Sequence, residues 1–393
     1  MRRVVVVGGS LAGVNAVEEL RHRGFQGEIT LVSGEDDLPY DKPPLSKAAL
    51  KEGPQHQQLA LKDAAWYDEH GIDVLLASRA VGLDTRARRV ALEDGRALDY
   101  DGLVIATGCS SRPLNGLAEQ ARIHVVRDLA DATALHGELR AGRHLVVIGA
   151  GFIGLEVAAT ARSLGLDVSV VESAPVPLTR VLGNETGGWF RDFHAGHGIT
   201  LHCGTGVSRI EAGAGGSQVH LADGTVLKAD LIVAGIGVVP ATGWLQGSGV
   251  DLFDGVVCDP TLRTTAPEVV AAGDLVRWHN SLFDETMRVE QWLNAVDQGA
   301  HAARTLLGEA EPFAHVPYFW SDQFDAKVRF VGRADATDQV EVRHPRDNAV
   351  VTLFGHADVV RGALCINAPR QLALLKRAIQ SGTSWQDALD IVG

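Results

Sequence analysis

Two long stretches of the chain repeat one pattern of apolar and polar positions. The first is RRVVVVGGSLAGVNAVEELRHRGFQGEITLVSGE at residues 2–35, and the second is RHLVVIGAGFIGLEVAATARSLGLDVSVVE at residues 143–172. Each opens with a short apolar run that ends at glycine, which is typical of a buried strand. Apolar positions three or four residues apart follow, as in an amphipathic helix, and a second apolar run closes the stretch. The pattern therefore predicts strand, turn, helix and strand, twice.

Each copy is followed by a second shared pattern, LEDGRALDYDGLVIATG from Leu92 and LADGTVLKADLIVAGIG from Leu221. The Asp-Gly pairs at 94–95 and 223–224 predict hairpin turns, whose residues need positive φ. The apolar runs after them predict buried strands. Strands alternating with a helix indicate the α/β class, with two Rossmann-like units in one chain.

The first copy is longer than the second. Gly13 and Asp94 lie 81 positions apart and Gly154 and Asp223 lie 69 apart, so the first copy carries 12 extra residues. The extra residues lie within DDLPYDKPPLSKAAL, and its paired prolines, Pro43 and Pro44, predict that no regular helix or inner strand runs through them. We expect such a segment to serve something other than packing.

Composition narrows the possible functions. A chain of 393 residues that is 46% hydrophobic predicts two or three domains. The net charge of -13, without a Lys/Arg-rich run, argues against a nucleic-acid partner. The sequence lacks an apolar stretch near the roughly 20 residues that span a membrane, and the first predicted strand begins at Val4. We therefore expect a cytoplasmic protein with no signal peptide and no membrane partner.

The cysteines and histidines predict neither a disulfide pair nor a metal site. Cys109, Cys203, Cys258 and Cys365 are far apart and form no C-x-x-C or C-x-x-x-x-C spacing, so we expect buried, reduced thiols. His194 and His197 stand in HAGH without a nearby cysteine or carboxylate pair. We expect no metal at them.

The glycines of the two repeats form dinucleotide fingerprints. Gly149, Gly151 and Gly154 follow a predicted strand and open a helix, and Glu172 lies about twenty residues on. In this motif bare N–H groups and the helix N-terminus receive a pyrophosphate, and the acid accepts hydrogen bonds from ribose hydroxyls. The first repeat has Gly8, Ser10 and Gly13, with Glu35 as its acid. Since Ser10 replaces the middle glycine, we expect a less close diphosphate contact there.

Two dinucleotide sites in one chain predict one resident and one visiting cofactor. Two bound nicotinamide cofactors could only exchange hydride with each other. We therefore expect FAD at the first site and NADH at the second. Glu172 would repel the 2′-phosphate of NADPH and so favours NADH. Arg180 is close enough in sequence to reach the adenosine end, so some use of NADPH is expected to remain.

Several further motifs resemble those of one family, the FAD-dependent NADH:ferredoxin reductases of multicomponent oxygenases. The resemblance covers nearly the whole chain and rests on PYDKPPLSK at 39–47, IATG with Arg112 and Pro113 after it, GFIGLE ending at Glu156, AAGD at 271–274, WLNAVDQG at 292–299 and WSDQ at 320–323. It implies an FAD-binding domain of residues 1–109 and 233–312 and an NADH-binding domain of residues 110–232. A C-terminal α+β interface domain of residues 313–393 follows. It also implies that electrons pass from NADH through FAD to a [2Fe-2S] ferredoxin that feeds an oxygenase.

The resemblance also implies roles for single residues. Lys47 and Glu156 are expected beside the flavin N5, where the nicotinamide must arrive, although the sequence alone equally fits a solvated loop lysine and an acid favoured by its helix dipole. Asp274 is expected at the ribityl chain, and Trp292 and Trp320 at the flavin's pyrimidine end and the C-terminal domain contact. The other expected cofactor-binding residues lie in or near these motifs: Gly8, Ser10, Ala12, Gly13, Glu35, Lys42, Pro43, Val81, Ala106, Thr107, Gly108, Arg112, Gly149, Gly151, Phe152, Ile153, Gly154, Glu172, Arg180, Gly235, Ile236 and Gly237.

Other functions stay open at this point. An NADH oxidase or quinone reductase would leave no acceptor motif, and an NADH-responsive flavoprotein sensor is a further alternative. A disulfide reductase would need a cysteine pair or a lone thiol near the flavin, and the loop after Glu35 contains neither.

From residue 313 onward nine Lys/Arg balance nine Asp/Glu, so the negative net charge lies in the first 312 residues. We therefore expect an acidic ferredoxin to be steered by some of the following cations: Lys327, Arg329, Arg333, Arg361, Lys376 and Arg377.

Overall fold

The structure is a computed structural model that describes residues 1–114, 118–119, 121–213, 215–335 and 337–392. The chain forms two compact units. The first unit comprises Met1–Asp41, Gln55–Ser110 and Val239–Pro317. The second unit comprises Lys42–Pro54, Ser111–Val238 and Tyr318–Gly393.

The elements are numbered in chain order. The strands are β1 (Arg3–Val7), β2 (Glu28–Val32), β3 (Ile72–Leu75), β4 (Ala80–Asp84), β5 (Arg89–Leu92), β6 (Ala97–Asp99), β7 (Gly102–Ile105), β8 (Cys109–Ser111), β9 (Ala118–Glu119), β10 (His144–Ile148), β11 (Asp167–Glu172), β12 (Thr200–Cys203), β13 (Val207–Gly213), β14 (Gly216–Leu221), β15 (Val226–Ala229), β16 (Leu231–Ala234), β17 (Val238–Pro240), β18 (Val256–Val257), β19 (Val269–Ala271), β20 (Val276–Asn280), β21 (Glu285–Arg288), β22 (Tyr318–Gln323), β23 (Ala326–Gly332), β24 (Gln339–Arg346), β25 (Ala349–His356) and β26 (Val359–Ile366). The α-helices are α1 (Leu11–His22), α2 (Ala48–Glu52), α3 (His56–Leu59), α4 (Ala64–Glu69), α5 (Leu129–Glu138), α6 (Phe152–Ser163), α7 (Thr179–Gly196), α8 (Trp292–Leu306), α9 (Pro369–Gln380) and α10 (Trp385–Val392). Short 3-10 helices span Pro43–Ser46 and Gly243–Leu245.

The first unit is built on a parallel sheet of order β19-β7-β1-β2-β3. Val4 to Val7 of β1 are 0–3% exposed, as expected for a central parallel strand that is covered on both faces. Helices α1 and α8 approach closely, because a Cβ at Gly299 would lie 2.3 Å from the Ala12 carbonyl oxygen. Sheets β4-β5-β6 and β18-β20-β21 complete the unit.

The second unit contains another parallel sheet, of order β12-β11-β10-β16. It also contains a separate sheet of order β15-β14-β13-β9. Its C-terminal part is the antiparallel sheet β22-β23-β26-β25-β24, accompanied by α9 and α10. The predicted α/β class with two Rossmann-like units and a C-terminal α+β part is thus confirmed. Both Asp-Gly pairs lie in hairpin turns, and Gly95 and Gly224 have φ of 89° and 91°.

The extra segment of the first repeat contains two short helices. The 3-10 helix begins at Pro43, so the prolines start a helix, because the first residues of a helix need no N–H donor. Helix α2 follows at Ala48, and Lys47 is the residue between the two helices. Of the described residues, none forms a helix long and apolar enough to cross a membrane.

Candidate active site

Four predicted cofactor residues of the first unit meet at one edge of its parallel sheet. Gly8 follows β1, Glu35 follows β2, Ala106 follows β7 and Asp274 follows β19. All four strands run in the same direction, so their carboxyl ends lie together. Ligands of open α/β sheets bind at this edge.

The glycines of this turn are required by close packing of the backbone. Gly8 has a φ of +128°, and a Cβ there would lie 2.1 Å from the Ala106 carbonyl oxygen. A Cβ at Gly13 would lie 2.0 Å from the Gly8 carbonyl oxygen. Ser10 precedes α1 in extended conformation, and its side chain makes no capping hydrogen bond. The first N–H groups of the helix therefore remain available to a diphosphate, so these residues fit a dinucleotide.

The other predicted residues of the first unit lie around this edge or on neighbouring elements. The Tyr40 hydroxyl donates to Glu35, and the Thr107 hydroxyl donates to the Ala241 carbonyl at 2.8 Å. Gly108 has a φ of +61°, and Ala12 is buried in α1. Val81 lies on β4 with 49% of its surface exposed.

Three hydrogen bonds fix the segments around Asp274 and Trp292. Gly273 has a φ of +90°, and its N–H donates to Gln298 Oε1 at 2.9 Å. The Asp274 carbonyl oxygen accepts a hydrogen bond from Arg288 at 3.0 Å. The Trp292 indole N–H donates to Asp41 Oδ1 at 2.7 Å, which holds the ring in one orientation.

The second fingerprint shows which glycine leaves space for a ligand. A Cβ at Gly149 would lie 2.4 Å from the Gly235 carbonyl oxygen, and one at Gly154 would lie 2.2 Å from the Gly149 carbonyl oxygen. A Cβ at Gly151, in contrast, would find no atom nearer than 3.9 Å among those described. Packing therefore requires the outer two glycines, and the middle one borders open space where a pyrophosphate can approach.

Glu172 ends β11 next to this turn and already holds the backbone around it. Its Oε2 accepts from the Ala150 N–H at 2.8 Å, and its Oε1 accepts from the Ala174 N–H at 2.8 Å. The Ser173 hydroxyl also donates to Oε1 at 3.2 Å, so one of the roughly four acceptor positions of the carboxylate remains for a ribose hydroxyl, and a second becomes available when the Ser173 hydroxyl turns away. Arg180 is exposed in the first turn of α7.

The remaining predicted residues of the second fingerprint lie at the start of α6 or after β16. Phe152 packs against Phe319 with ring centroids 4.6 Å apart, whereas Ile153 is 47% exposed. Gly235, Ile236 and Gly237 follow β16 directly, and the Arg112 N–H donates to the Gly237 carbonyl at 3.0 Å.

Lys47 and Glu156 form a salt bridge in the second unit, with Nζ 2.7 Å from Oε2. Glu156 lies in α6 and is only 5% exposed. It also accepts hydrogen bonds from the Ser46 hydroxyl to Oε2 and from the Ser321 hydroxyl to Oε1, both at 2.5 Å. Glu156 is thus a buried ion-pair partner. The alternative of a solvated loop lysine and an acid favoured only by its helix dipole does not fit this pair.

Three further predicted residues flank this pair in sequence. Lys42 Nζ lies 3.5 Å from the Arg127 carbonyl oxygen, and Pro43 begins the 3-10 helix that carries Ser46. Trp320 lies on β22 next to Ser321, with its ring centroid 6.3 Å from that of Tyr318.

Sequence reasoning missed the polar side chains that surround Glu156. Ser46, Ser321 and Gln323 lie inside the motifs PYDKPPLSK and WSDQ, from which only Lys42, Pro43, Lys47 and Trp320 are expected at the site. His194, which the sequence brings into question only as a metal ligand, hydrogen-bonds to Gln323 Oε1 at 2.8 Å through Nε2. Buried polar residues within a motif were the available signal.

All four cysteines are free thiols. Cys109, Cys258 and Cys365 are buried as expected, whereas Cys203 is half-buried at the end of β12. Burial raises the pKa of the Cys365 thiol to about 12 and that of Cys258 further still. Deep burial makes both unreactive.

Two dinucleotide-binding edges in one chain define a pyridine-nucleotide flavoprotein oxidoreductase. The chain belongs to the family described as Pyridine nucleotide-disulphide oxidoreductase, which it matches over residues 2–299, and residues 318–390 match the family Reductase C-terminal. Proteins of this family use FAD and NAD(H), in agreement with the two glycine turns.

The relatives include ferredoxin–NAD(+) reductase components of dioxygenase systems. The chain is 38% identical to rhodocoxin reductase of Rhodococcus erythropolis over 93% of this chain and 87% of the relative. It is 36% identical to the ferredoxin–NAD(+) reductase component of the anthranilate 1,2-dioxygenase system of Burkholderia cepacia, over 96% and 94% of the two chains. Its structure is similar to putidaredoxin reductase in a covalent complex with putidaredoxin, with a TM-score of 0.92, 33% identity and coverage of 97% and 93%.

Proposed function

We propose that this protein passes electrons from NADH, through FAD bound at the first fingerprint, to a [2Fe-2S] ferredoxin that serves an oxygenase. One observation carries the proposal: two glycine turns that fit dinucleotides occur in one chain together with the Lys47–Glu156 ion pair, whose acid is buried. The named reductases that resemble the chain over nearly its whole length support the ferredoxin as acceptor.

FAD, when bound, supplies the chemistry that this chain lacks, because it accepts two electrons from NADH and releases them singly. The protein's own residues bind the two cofactors, orient them and tune the reactivity of the flavin. We assign Lys47 and Glu156 to the hydride-transfer region. An ammonium near the flavin favours the electron-rich reduced form, and the Glu156 carboxylate makes the partly buried cation tolerable.

We further propose the domain division and the cofactor residues expected from the sequence. Residues 1–109 and 233–312 bind FAD, residues 110–232 bind NADH, and residues 313–393 form the interface domain. The repeated strand and helix order supports the first two domains. Four free thiols and the use of NADH support a reducing compartment, which we take to be the cytoplasm.

An anaerobic reaction with two mixing steps tests the proposal. Purified protein should be yellow, NADH should bleach the flavin absorbance, and an oxidised [2Fe-2S] ferredoxin should restore it. If NADH bleaches the flavin but only oxygen or a quinone restores the colour, the acceptor is wrong and the oxidase or quinone reductase alternative is favoured. A protein that cannot be loaded with FAD would refute the proposal entirely.

A further inference from the structure

A continuous chain of polar side chains leads away from Glu156 into the interior of the second unit. The Ser321 hydroxyl bonds Glu156 Oε1 at 2.5 Å, Gln323 Nε2 bonds the Ser321 hydroxyl at 2.9 Å, and His194 Nε2 bonds Gln323 Oε1 at 2.8 Å. Ser321, Gln323 and His194 are each 0% exposed. Hydration therefore cannot replace any of these hydrogen bonds.

The direction of every hydrogen bond follows from the acid at the end of this chain. A carboxylate only accepts, so Ser321 must donate its one proton to Glu156. Ser321 then accepts from the Gln323 amide N–H, and the Gln323 carbonyl oxygen needs a donor, which is the Nε2–H of His194. All three donors thus point toward Glu156.

The state of His194 agrees with this direction. With its proton on Nε2, the ring has an unprotonated Nδ1, and this atom is buried without a hydrogen-bond partner among the described residues. A second proton there would be a buried, unpaired charge. Burial accordingly lowers the pKa of His194 to about 4, although the Gln323 bond raises it and neighbouring His197 lowers it further. His194 is therefore neutral near pH 7.

The other side of Glu156 is held separately. Ser46 and Lys47 both bond Oε2, and the Thr160 hydroxyl of α6 donates to the Ser46 carbonyl at 3.0 Å. The two oxygens of the carboxylate therefore have different partners. Oε1 accepts from the buried Ser321 hydroxyl, and Oε2 contacts Ser46 and Lys47.

We propose that Ser321, Gln323 and His194 are positioning residues that fix the Glu156 side chain in one rotamer, so that Oε2 is presented to Lys47. This rests on the proposed function, because it assigns Lys47 and Glu156 to the hydride-transfer region. The residues act through Glu156 and need no contact with either cofactor.

A double-mutant cycle on the FAD-loaded protein tests the proposal. Ser321→Ala should slow anaerobic flavin reduction by NADH about tenfold, which corresponds to about 1.4 kcal/mol, since 1.36 kcal/mol is a factor of ten. It should also make the flavin midpoint potential more negative, because a less satisfied carboxylate binds the lysine charge more strongly. In a Glu156→Gln background the same substitution should change the flavin reduction rate less than about twofold and leave the midpoint potential unshifted.

Thr352→Val is the matched control. Thr352 is also 0% exposed in the second unit, and its hydroxyl bonds Thr186 at 3.3 Å without contacting Glu156. It should lower stability much as Ser321→Ala does and leave the flavin reduction rate and potential unchanged. If Ser321→Ala does not fold, Gln323→Met, one bond further from Glu156, should give a smaller slowing of about threefold with the same cycle.

The outcomes separate this proposal from the proposed function. If Glu156→Gln alone leaves the rate and potential unchanged, the assignment of Lys47 and Glu156 is wrong. If Glu156→Gln has an effect but Ser321→Ala and Gln323→Met have none, or act equally in both backgrounds, only the positioning proposal is overturned.

Discussion

Replacing Glu172 by alanine should reduce the preference for NADH over NADPH. The carboxylate ends β11 beside the turn of the second fingerprint, where it would accept from the adenosine ribose hydroxyls. Losing two such hydrogen bonds costs NADH about 2 kcal/mol, taking about 1 kcal/mol for each. A phosphate charge about 4 Å away would be repelled by roughly 1 kcal/mol at the permittivity of water, and more where solvent is partly excluded.

Together these effects give a change of about 3 kcal/mol in the difference between the two coenzymes, or about 100-fold. The substitution also removes the hydrogen bonds to the Ala150 and Ala174 N–H groups, which loosens the turn. That loss affects both coenzymes alike. The ratio of kcat/KM for NADH to that for NADPH is therefore the quantity to measure, because the common loss cancels.

Stopped-flow flavin reduction with each coenzyme, at two salt concentrations, provides the assay. The ratio should fall about 100-fold in Glu172→Ala, and salt should diminish the repulsive part. Glu185→Ala, which removes an exposed acid from α7, is the matched control and should leave the ratio unchanged. A ratio that changes less than threefold in Glu172→Ala, or equal rates with both coenzymes in the unchanged protein, would refute the reasoning.

Three further outcomes are expected. Gly13→Ala should reduce bound FAD to less than about a tenth per chain, because its Cβ would lie 2.0 Å from a backbone oxygen. Gly243→Ala is the control and should keep the protein yellow, because its Cβ meets no described atom within 4 Å. Equal flavin content in the two variants would contradict the prediction. Arg370 and Arg377 are exposed and seven positions apart on α9, so they share a helix face, and changing both to Glu should slow the ferredoxin reaction about tenfold at low salt while sparing reduction by NADH. His194 should lower stability in acid: its pKa is 6.5 when unfolded and about 4 when folded, so the unfolded chain binds the proton first and stability falls as the pH decreases from about 6.5 to 4. Between pH 7 and 5 this group costs about 2 kcal/mol, and His194→Phe should lack that part of the pH dependence in thermal unfolding. A pH profile that is the same in both proteins would show that folding does not lower the pKa of His194.

The sequence could predict the parts of the fold that depend on local patterns. Apolar runs rich in valine predicted the buried strands β1 and β10, and the glycine spacing predicted both dinucleotide turns. The paired prolines were harder, because proline excludes a helix interior but favours its first turn, and Pro43 proved to begin a short helix.

The surroundings of Glu156 could not be predicted from local patterns. Glu156 and Ser46 are 110 positions apart, Glu156 and Ser321 are 165 apart, and His194 and Gln323 are 129 apart. Serine and glutamine have no hydrophobic period that would mark them as buried. Only the resemblance to known reductases connected Lys47 with Glu156, and only the three-dimensional structure added the hydrogen bonds around them.

The stoichiometry of electron transfer tests the central claim most directly. Under anaerobic conditions a catalytic amount of the FAD-loaded protein would be mixed with limiting NADH and an excess of oxidised [2Fe-2S] ferredoxin, and both would be followed by absorbance. NADH donates two electrons and a [2Fe-2S] ferredoxin accepts one, so two ferredoxins should be reduced for each NADH consumed. If NADH disappears only when oxygen is admitted, with hydrogen peroxide or water as product and no reduced ferredoxin, the protein is not a ferredoxin reductase.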